Sequence, residues 1–180
     1  MAEHPAPSEL EGGRRLLTRK QALAGGGAAV AALGAPALAQ AAGAKYPTVK
    51  VLELAKLKVN RAVPFAYPLE EQQNVLLDMG RAVPEGVGPK RSIVAFSILC
   101  QHMGCPVAYR PGPREFFCPC HQTRYDPERS GSIIEGLALR PLPRVLLSVR
   151  HGVVYAIGLD GLVYGYRDNL RPGQRVGGGT

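Results

Sequence analysis

All four cysteines of this 180-residue chain lie in two short segments, and each segment also carries a histidine. The first segment is CQHMGC, residues 100–105, and the second is CPCH, residues 118–121. Thiolates and imidazoles are preferred ligands of zinc, copper and iron–sulfur groups. Their concentration in two segments predicts a fold that brings these loops together around a metal centre.

A structural zinc site is the first alternative for such a set of ligands. Structural zinc sites use four ligands, with spacings such as C-x2-C and H-x3-5-H. Here six candidate ligands are present, and their tightest spacings are C-x-H and C-P-C-H, which suit zinc poorly. The six divide better into one cysteine and one histidine from each segment, with one further cysteine in each.

Period-two alternation of apolar and polar residues predicts strands over the rest of the chain. The 22 glycines and 16 prolines favour a turn-rich protein, and no segment after residue 45 has a convincing helical period with caps. We therefore expect an all-β domain with the cysteine-bearing part inserted between strands. The predicted strands are 48–54, 74–80, 92–99, 114–119, 144–149, 153–157 and 162–166.

The net charge of +8 raises the question of a nucleic-acid partner. After residue 39 the chain has 18 basic and 11 acidic residues, spread without a basic run or a basic helix. A nucleic-acid-binding surface usually concentrates its basic residues on one face. The pattern favours a solvated basic surface over nucleic-acid binding, and an acidic protein partner ranks between these two interpretations.

Residues 1–39 are interpreted as an export signal. Four basic residues between Arg14 and Lys20 precede an uncharged run rich in alanine and glycine, which ends in ALAQ at residues 37–40. Small residues at 37 and 39 fit a signal-peptidase site, and basic pairs before a weakly hydrophobic run resemble a twin-arginine signal. An uncleaved membrane anchor is the alternative. In either case we expect the folded part outside the cytoplasm.

The two cysteine segments resemble the boxes of the Rieske [2Fe-2S] family, C-x-H-x-G-C and C-P-C-H. This resemblance implies that Cys100 and Cys118 bind one iron of a 2Fe-2S cluster, and that His102 and His121 bind the other. It also implies a Rieske-type antiparallel β-sandwich over residues 45–170, with a small inserted cluster-binding subdomain. Residues 171–180 are expected to be a flexible tail.

The resemblance further implies a disulfide between Cys105 and Cys120, which would tie the two loops together. Disulfides persist in exported proteins. Closing a loop of this length stabilises a chain by about 3 kcal/mol in the chain-entropy model.

Thr123 and Tyr125 stand where many high-potential members of the family carry a serine and a tyrosine. The hydroxyls of those residues donate hydrogen bonds to sulfur and thereby stabilise the reduced, more negative state. Thr123 and Tyr125 are therefore implied as residues that tune the cluster and give it a high reduction potential.

Three classes of Rieske protein compete for the function. Aromatic-ring dioxygenases and the small ferredoxins related to them are disfavoured, because those ferredoxins lack the further cysteine pair and the dioxygenase chains are longer. The Rieske subunit of quinol-oxidising cytochrome bc complexes has the pair and remains the alternative. The small subunit of arsenite oxidase also has it, and is similar in its leader, in segment 94–109 and in the ending 156–170, although Tyr166 replaces an arginine there.

Similarity to arsenite oxidase implies an electron-transfer subunit with no substrate chemistry of its own. Its partners would be a large molybdenum-pterin subunit, which oxidises arsenite, and a soluble cytochrome c or small copper protein, which accepts the electrons. The protein is expected in the periplasm after twin-arginine export, and at the membrane if the leader is retained.

Overall fold

The computed structural model describes residues 45–172, which fold almost entirely into strands and turns. The predicted signal at 1–39 and tail residues 173–180 lie outside the described residues. Within residues 45–172, no helix is long and apolar enough to cross a membrane. Ten strands, β1 to β10, span Val49–Glu53, Val63–Ala66, Gln73–Asp78, Ile93–Ser97, Ala108–Arg110, Glu115–Phe117, Arg124–Asp126, Ser132–Glu135, Arg144–Arg150 and Val153–Asp160.

The strands form two antiparallel sheets. The larger has the order β1-β10-β9-β4-β3-β2, and the smaller has the order β5-β6-β7-β8. All of the smaller sheet lies between β4 and β9 in sequence, and these two strands pair directly through Phe96 and Arg144. The predicted all-β fold with a small inserted subdomain is therefore confirmed.

Strand β4 is buried along its whole length because it has hydrophobic packing on both sides. Successive side chains of a strand point to opposite faces. Accordingly, Val94 and Phe96 pack in the core that also contains Cys100 and Cys118, whereas Ile93 and Ala95 pack in a second core under β9 and β10. The central strand thus leads directly from the main core into the first cysteine loop.

One predicted strand is wrong. Residues 162–166 form turns, while β10 continues to Asp160. The Asn169 side chain closes this turn, because its Oδ1 accepts the Val163 N–H at 2.9 Å and its Nδ2 donates to the Gly161 carbonyl at 2.8 Å. The apolar residues that suggested a strand therefore pack from a loop.

Four short strands, β2, β5, β7 and β8, were not predicted. Each has only three or four residues, which is too short for a period-two pattern to stand out. Strand β2 also contains Pro64, a residue that argues against a strand except at a sheet edge, where β2 lies.

Ion pairs fasten the inserted subdomain to the larger sheet. Glu128 pairs with Arg81 and with Arg114, the latter at 2.8 Å, and Arg114 also donates to the Met79 carbonyl. Burial raises the pKa of the Glu128 carboxyl, but hydrogen bonds from both arginines outweigh it, so the net pKa is lowered. The charged form of Glu128 is therefore the form that holds the two parts together.

Candidate metal centre

The two cysteine loops are joined covalently. Cys105 and Cys120 form a disulfide, with their Cα atoms 6.5 Å apart. This is the pairing that the family resemblance implies. The other two cysteines, Cys100 and Cys118, are free and almost completely buried.

Backbone hydrogen bonds shape each loop. In the first, the Cys100 N–H donates to the Cys105 carbonyl at 2.9 Å, and the Gly104 N–H donates to the Cys100 carbonyl at 2.8 Å. In the second, the Cys118 N–H donates to the Thr123 carbonyl at 2.8 Å. Each cysteine loop is thus closed by its own backbone hydrogen bonds.

The two free thiols lie together under the loops. The Cys118 sulfur lies within 4.8 Å of both disulfide sulfurs. Burial raises the pKa of the Cys118 thiol, and the neighbouring Cys100 side chain helps to raise it. The backbone N–H groups of Cys120 and His121 oppose this rise. A metal cation would replace these protons, because thiolates are the metal-binding form.

The two histidines meet at the surface. Their Nδ1 atoms are 3.2 Å apart, and the rings are nearly perpendicular with centroids separated by 4.5 Å. His121 is exposed and His102 is half-buried. Two thiols on the buried side and two imidazoles on the outer side suit a centre that takes both kinds of ligand.

Tyr125 contacts the buried side of this centre. Its hydroxyl oxygen lies 3.1 Å from the Cys100 sulfur and accepts the Gln101 N–H at 3.0 Å. Burial, and then the neighbouring Cys100, raise the pKa of Tyr125, so the hydroxyl keeps its proton. Because the oxygen already accepts a bond from Gln101, this proton can be donated to sulfur.

Thr123 is fully buried and contacts the loop that follows β8. Its hydroxyl oxygen accepts the Leu137 N–H at 3.2 Å. Gly136 allows this close approach, since a Cβ atom there would lie 2.4 Å from the Thr123 Cα. The contact uses the Thr123 hydroxyl as an acceptor and does not use its proton, and the tuning role of Thr123 remains a prediction.

Exposed apolar side chains on the cysteine loop and on the loop after β8 form a feature that the sequence did not indicate. Met103, Leu137 and Leu139 are 59%, 58% and 92% exposed. We call these three residues the apolar tip. Between the two leucines, Ala138 packs in the same core as Cys100 and Cys118. The only sign of this exposed feature in the sequence is the presence of Leu137 and Leu139 in a segment without a strand pattern.

Comparison with known proteins points to one family. A family model described as Rieske [2Fe-2S] domain matches residues 48–147. Iodate reductase subunit IdrB from Denitromonas iodatirespirans is 39% identical over 169 residues, which cover 88% of this chain and 89% of that protein. The protein of the same name from Pseudomonas sp. (strain SCT) is 36% identical over 171 residues, or 88% and 87% of the two chains.

A solved structure has a similar fold. The soluble domain of the Rieske protein II (soxF) from Sulfolobus acidocaldarius superposes with a TM-score of 0.59 and 25% sequence identity. The match covers 68% of this chain and 82% of that chain. The similarity thus extends over most of the residues described here.

Proposed function

Because this chain belongs to the Rieske [2Fe-2S] family, we propose that it is the electron-transfer subunit of an oxyanion oxidoreductase. Its cofactor is the Rieske-type 2Fe-2S cluster, held in this proposal by Cys100, His102, Cys118 and His121. The observation that carries the assignment is the pairing of two buried thiols with two converging histidine Nδ1 atoms, which is the ligand set of such a cluster.

The chain positions these ligands and performs no substrate chemistry. When bound, the cluster supplies one-electron oxidation and reduction. The disulfide and the backbone turns hold the ligand loops in place, and this rigidity limits the reorganisation that accompanies a change of charge. Tyr125 supports the reduced state by directing its hydroxyl proton at Cys100, while the histidines face outward toward a redox partner.

Iodate is the substrate that the relatives favour. Two relatives that match along 88% of the chain are named iodate reductase subunits. In such a complex, electrons would run from a soluble carrier through this subunit to a large molybdenum-containing subunit. This direction is opposite to that in arsenite oxidase, which remains the second candidate because of the similar ending at residues 156–170.

The cytochrome bc alternative is less favoured, since neither of the two full-length relatives carries that name. The apolar tip also supports a permanent subunit partner. Stable interfaces are more apolar than transient ones. Met103 follows His102 in the chain, and the Leu137 N–H bonds to Thr123, two residues after the other histidine.

The test uses the native complex, purified gently from its host, with the Rieske signal followed by electron paramagnetic resonance under anaerobic conditions. If iodate oxidises the pre-reduced cluster, the chain serves an iodate reductase. If arsenite reduces the oxidised cluster instead, it serves an arsenite oxidase. Reduction by a quinol alone would overturn both assignments in favour of a bc-type complex.

Export to the periplasm by the twin-arginine route is part of the same proposal. The leader supports it through its basic residues and its weakly hydrophobic run. Two variants test the two candidate basic pairs. Replacing Arg14 and Arg15 with lysine should block export if that pair is the signal, and replacing Arg19 with lysine should block it if the pair Arg19-Lys20 is the signal. Export through the general secretory route, unaffected by either change, would overturn this part of the proposal.

A further inference from the structure

Two loops of the larger sheet carry exposed cations without ion-pair partners among residues 45–172. Lys58 and Arg61 lie between β1 and β2, and Lys90 and Arg91 lie between β3 and β4. No ion pair in the described part of the chain includes any of these four. We call them the basic face.

The two loops are neighbours in space although they are separated in sequence. Val59 pairs with Asp78, and the Asn60 N–H donates to the Asp78 carbonyl at 2.8 Å. On the other side, the Met79 N–H donates to the Ser92 carbonyl at 2.8 Å. Since paired backbone segments lie about 4.8 Å apart, about 10 Å separates the outer two segments, which bear the four cations.

The nearby acidic groups leave the basic face with a net positive charge, because its four cations face only one carboxylate without a cationic partner among residues 45–172, that of Asp78. Asp78 accepts the Gly80 N–H at 2.8 Å and the Ser92 hydroxyl at 2.6 Å. Glu85 pairs with Arg144. The third acidic residue, Glu128, forms ion pairs with Arg81 and Arg114.

The basic face has the features of a protein docking surface. Its β3–β4 loop is held by backbone bonds from Val83 to the Arg91 carbonyl and from Arg91 to the Gly88 carbonyl, both 3.0 Å long. Val59, between Lys58 and Arg61, is 52% exposed and offers an apolar contact near the cations. A rigid surface with an apolar residue beside charged ones suits a shaped protein partner better than a fluid lipid headgroup layer.

The same loop is connected to the redox site by packed protein. Met79 and Val83 belong to the core that contains Cys100 and Cys118. The β3–β4 loop therefore packs, through Met79 and Val83, on the core that contains the two free cysteines. The chain thus offers two different surfaces, one apolar and one cationic.

We propose that the basic face docks an acidic, soluble electron-carrier protein. This inference rests on the proposed electron-transfer function. Unpaired cations speed the encounter with an oppositely charged protein, so the face suits transient docking. Each docking event exchanges one electron between the carrier and the cluster, with no bond made and no proton transferred.

The test measures electron exchange by stopped flow between the native complex and an acidic c-type cytochrome with a net negative charge. We expect the second-order rate constant to fall at least about tenfold as ionic strength rises from about 0.02 to 0.2 M. A basic cytochrome c of opposite charge should show no such fall. A rate constant for the acidic probe that is independent of salt would overturn the proposal.

Variants localise the effect. The four-site variant Lys58→Gln/Arg61→Gln/Lys90→Gln/Arg91→Gln should lower the low-salt rate constant about tenfold and flatten its salt dependence. The matched control Arg150→Glu/Arg167→Glu changes the net charge by the same amount at two exposed positions elsewhere, and should lower the rate less than about twofold. Equal losses in both variants would show that net charge alone matters, and would overturn the proposal.

A membrane is the competing occupant. Binding to phosphatidylglycerol vesicles that is lost in the four-site variant, together with an unchanged rate toward the acidic cytochrome, would assign the face to anionic lipid and overturn the proposal. If iodate does not oxidise the cluster and arsenite does not reduce it, the proposed function is contradicted. The salt dependence of the rate constant with the acidic cytochrome would still be observed. The two failures are therefore distinguishable.

Discussion

The ring of Tyr164 lies directly against Gly104, at a place where a Cβ atom on Gly104 would come within 2.5 Å of the Tyr164 Cδ1. Gly104 has φ of +74° and lies next to Cys105 of the disulfide. Tyr164 belongs to the turn that Asn169 closes. The C-terminal segment therefore braces the loop that carries His102.

We expect Gly104→Ala to destabilise the protein and to disturb the cluster. A left-handed backbone costs a non-glycine residue about 1–2 kcal/mol, and overpacking against the Tyr164 ring adds about 1–3 kcal/mol. Thermal unfolding measures the loss of stability. A change in the g-values of the Rieske signal reports displacement of the loop that carries His102.

Gly152→Ala is the matched control. Gly152 has φ of +72°, but nothing lies within 4 Å of its added Cβ. This variant should lose only the stability that the left-handed backbone costs a non-glycine residue, and it should keep the g-values of the wild-type Rieske signal. If the two variants unfold alike and give the same spectrum, the contact with Tyr164 does not brace the loop.

Tyr125→Phe should lower the reduction potential of the cluster. The hydroxyl lies 3.1 Å from the Cys100 sulfur, and a hydrogen bond to sulfur stabilises the more negative, reduced state. If this hydrogen bond stabilises the reduced state over the oxidised state by about 1–2 kcal/mol, its loss lowers the one-electron reduction potential by about 40–90 mV. Redox titration followed by electron paramagnetic resonance measures the shift.

Tyr109→Phe controls for the loss of a tyrosine hydroxyl elsewhere in the subdomain. The Tyr109 hydroxyl donates to Asn60 Oδ1 at 2.6 Å and contacts no cysteine in the described residues. Its removal should affect stability but leave the potential within about 10 mV of wild type. An equal shift in both variants would remove the tuning role of Tyr125.

The position of the candidate site could be predicted from sequence because its ligands are rare residues placed in two segments. Strand β4 was also predictable, since its apolar residues fill cores on both faces. Strands β5 and β7 could not be predicted, because each has only three residues and exists only through its pairing with neighbouring strands of the smaller sheet. The turn at 162–166 depends on Asn169, a distant side chain that no local pattern reveals.

Surface features were the least predictable part. Leu139 has an ordinary apolar side chain in sequence, and only the fold shows that it is almost fully exposed. The basic residues look dispersed along the chain, but backbone pairing of both loops with the end of β3 brings the segments that carry Arg61 and Arg91 to about 10 Å from each other. Both features arise from long-range contacts rather than from composition.

The double variant Cys105→Ala/Cys120→Ala should lose about 3 kcal/mol of stability, the value expected for opening a loop of this size. The two ligand loops would then be held only by hydrogen bonds and packing. We expect the Rieske signal to decay faster on warming than in the wild type. Reduction of the wild-type disulfide by a thiol should reproduce this loss, and an unchanged rate of decay in both cases would show that the bridge does not protect the cluster.

Glu128→Gln should weaken the attachment of the subdomain in a pH-dependent way. Burial raises the pKa of Glu128, but the hydrogen bonds from Arg81 and Arg114 outweigh it and lower the pKa in the folded protein. A lowered folded pKa means that the stabilisation is fully present above the pKa of the unfolded chain and is lost as pH falls through the folded value. The stability difference between wild type and variant should therefore be about 1–2 kcal/mol near neutral pH and should shrink below about pH 4.

Denaturant unfolding of the two proteins at several pH values measures this difference. Glu71→Gln is the control, because Glu71 is exposed and forms no ion pair in residues 45–172. Its effect should be small and nearly independent of pH. A Glu128→Gln difference that persists unchanged into acid would mean that packing of the side chain, and not its charge beside the two arginines, joins the cluster-binding subdomain to the larger sheet.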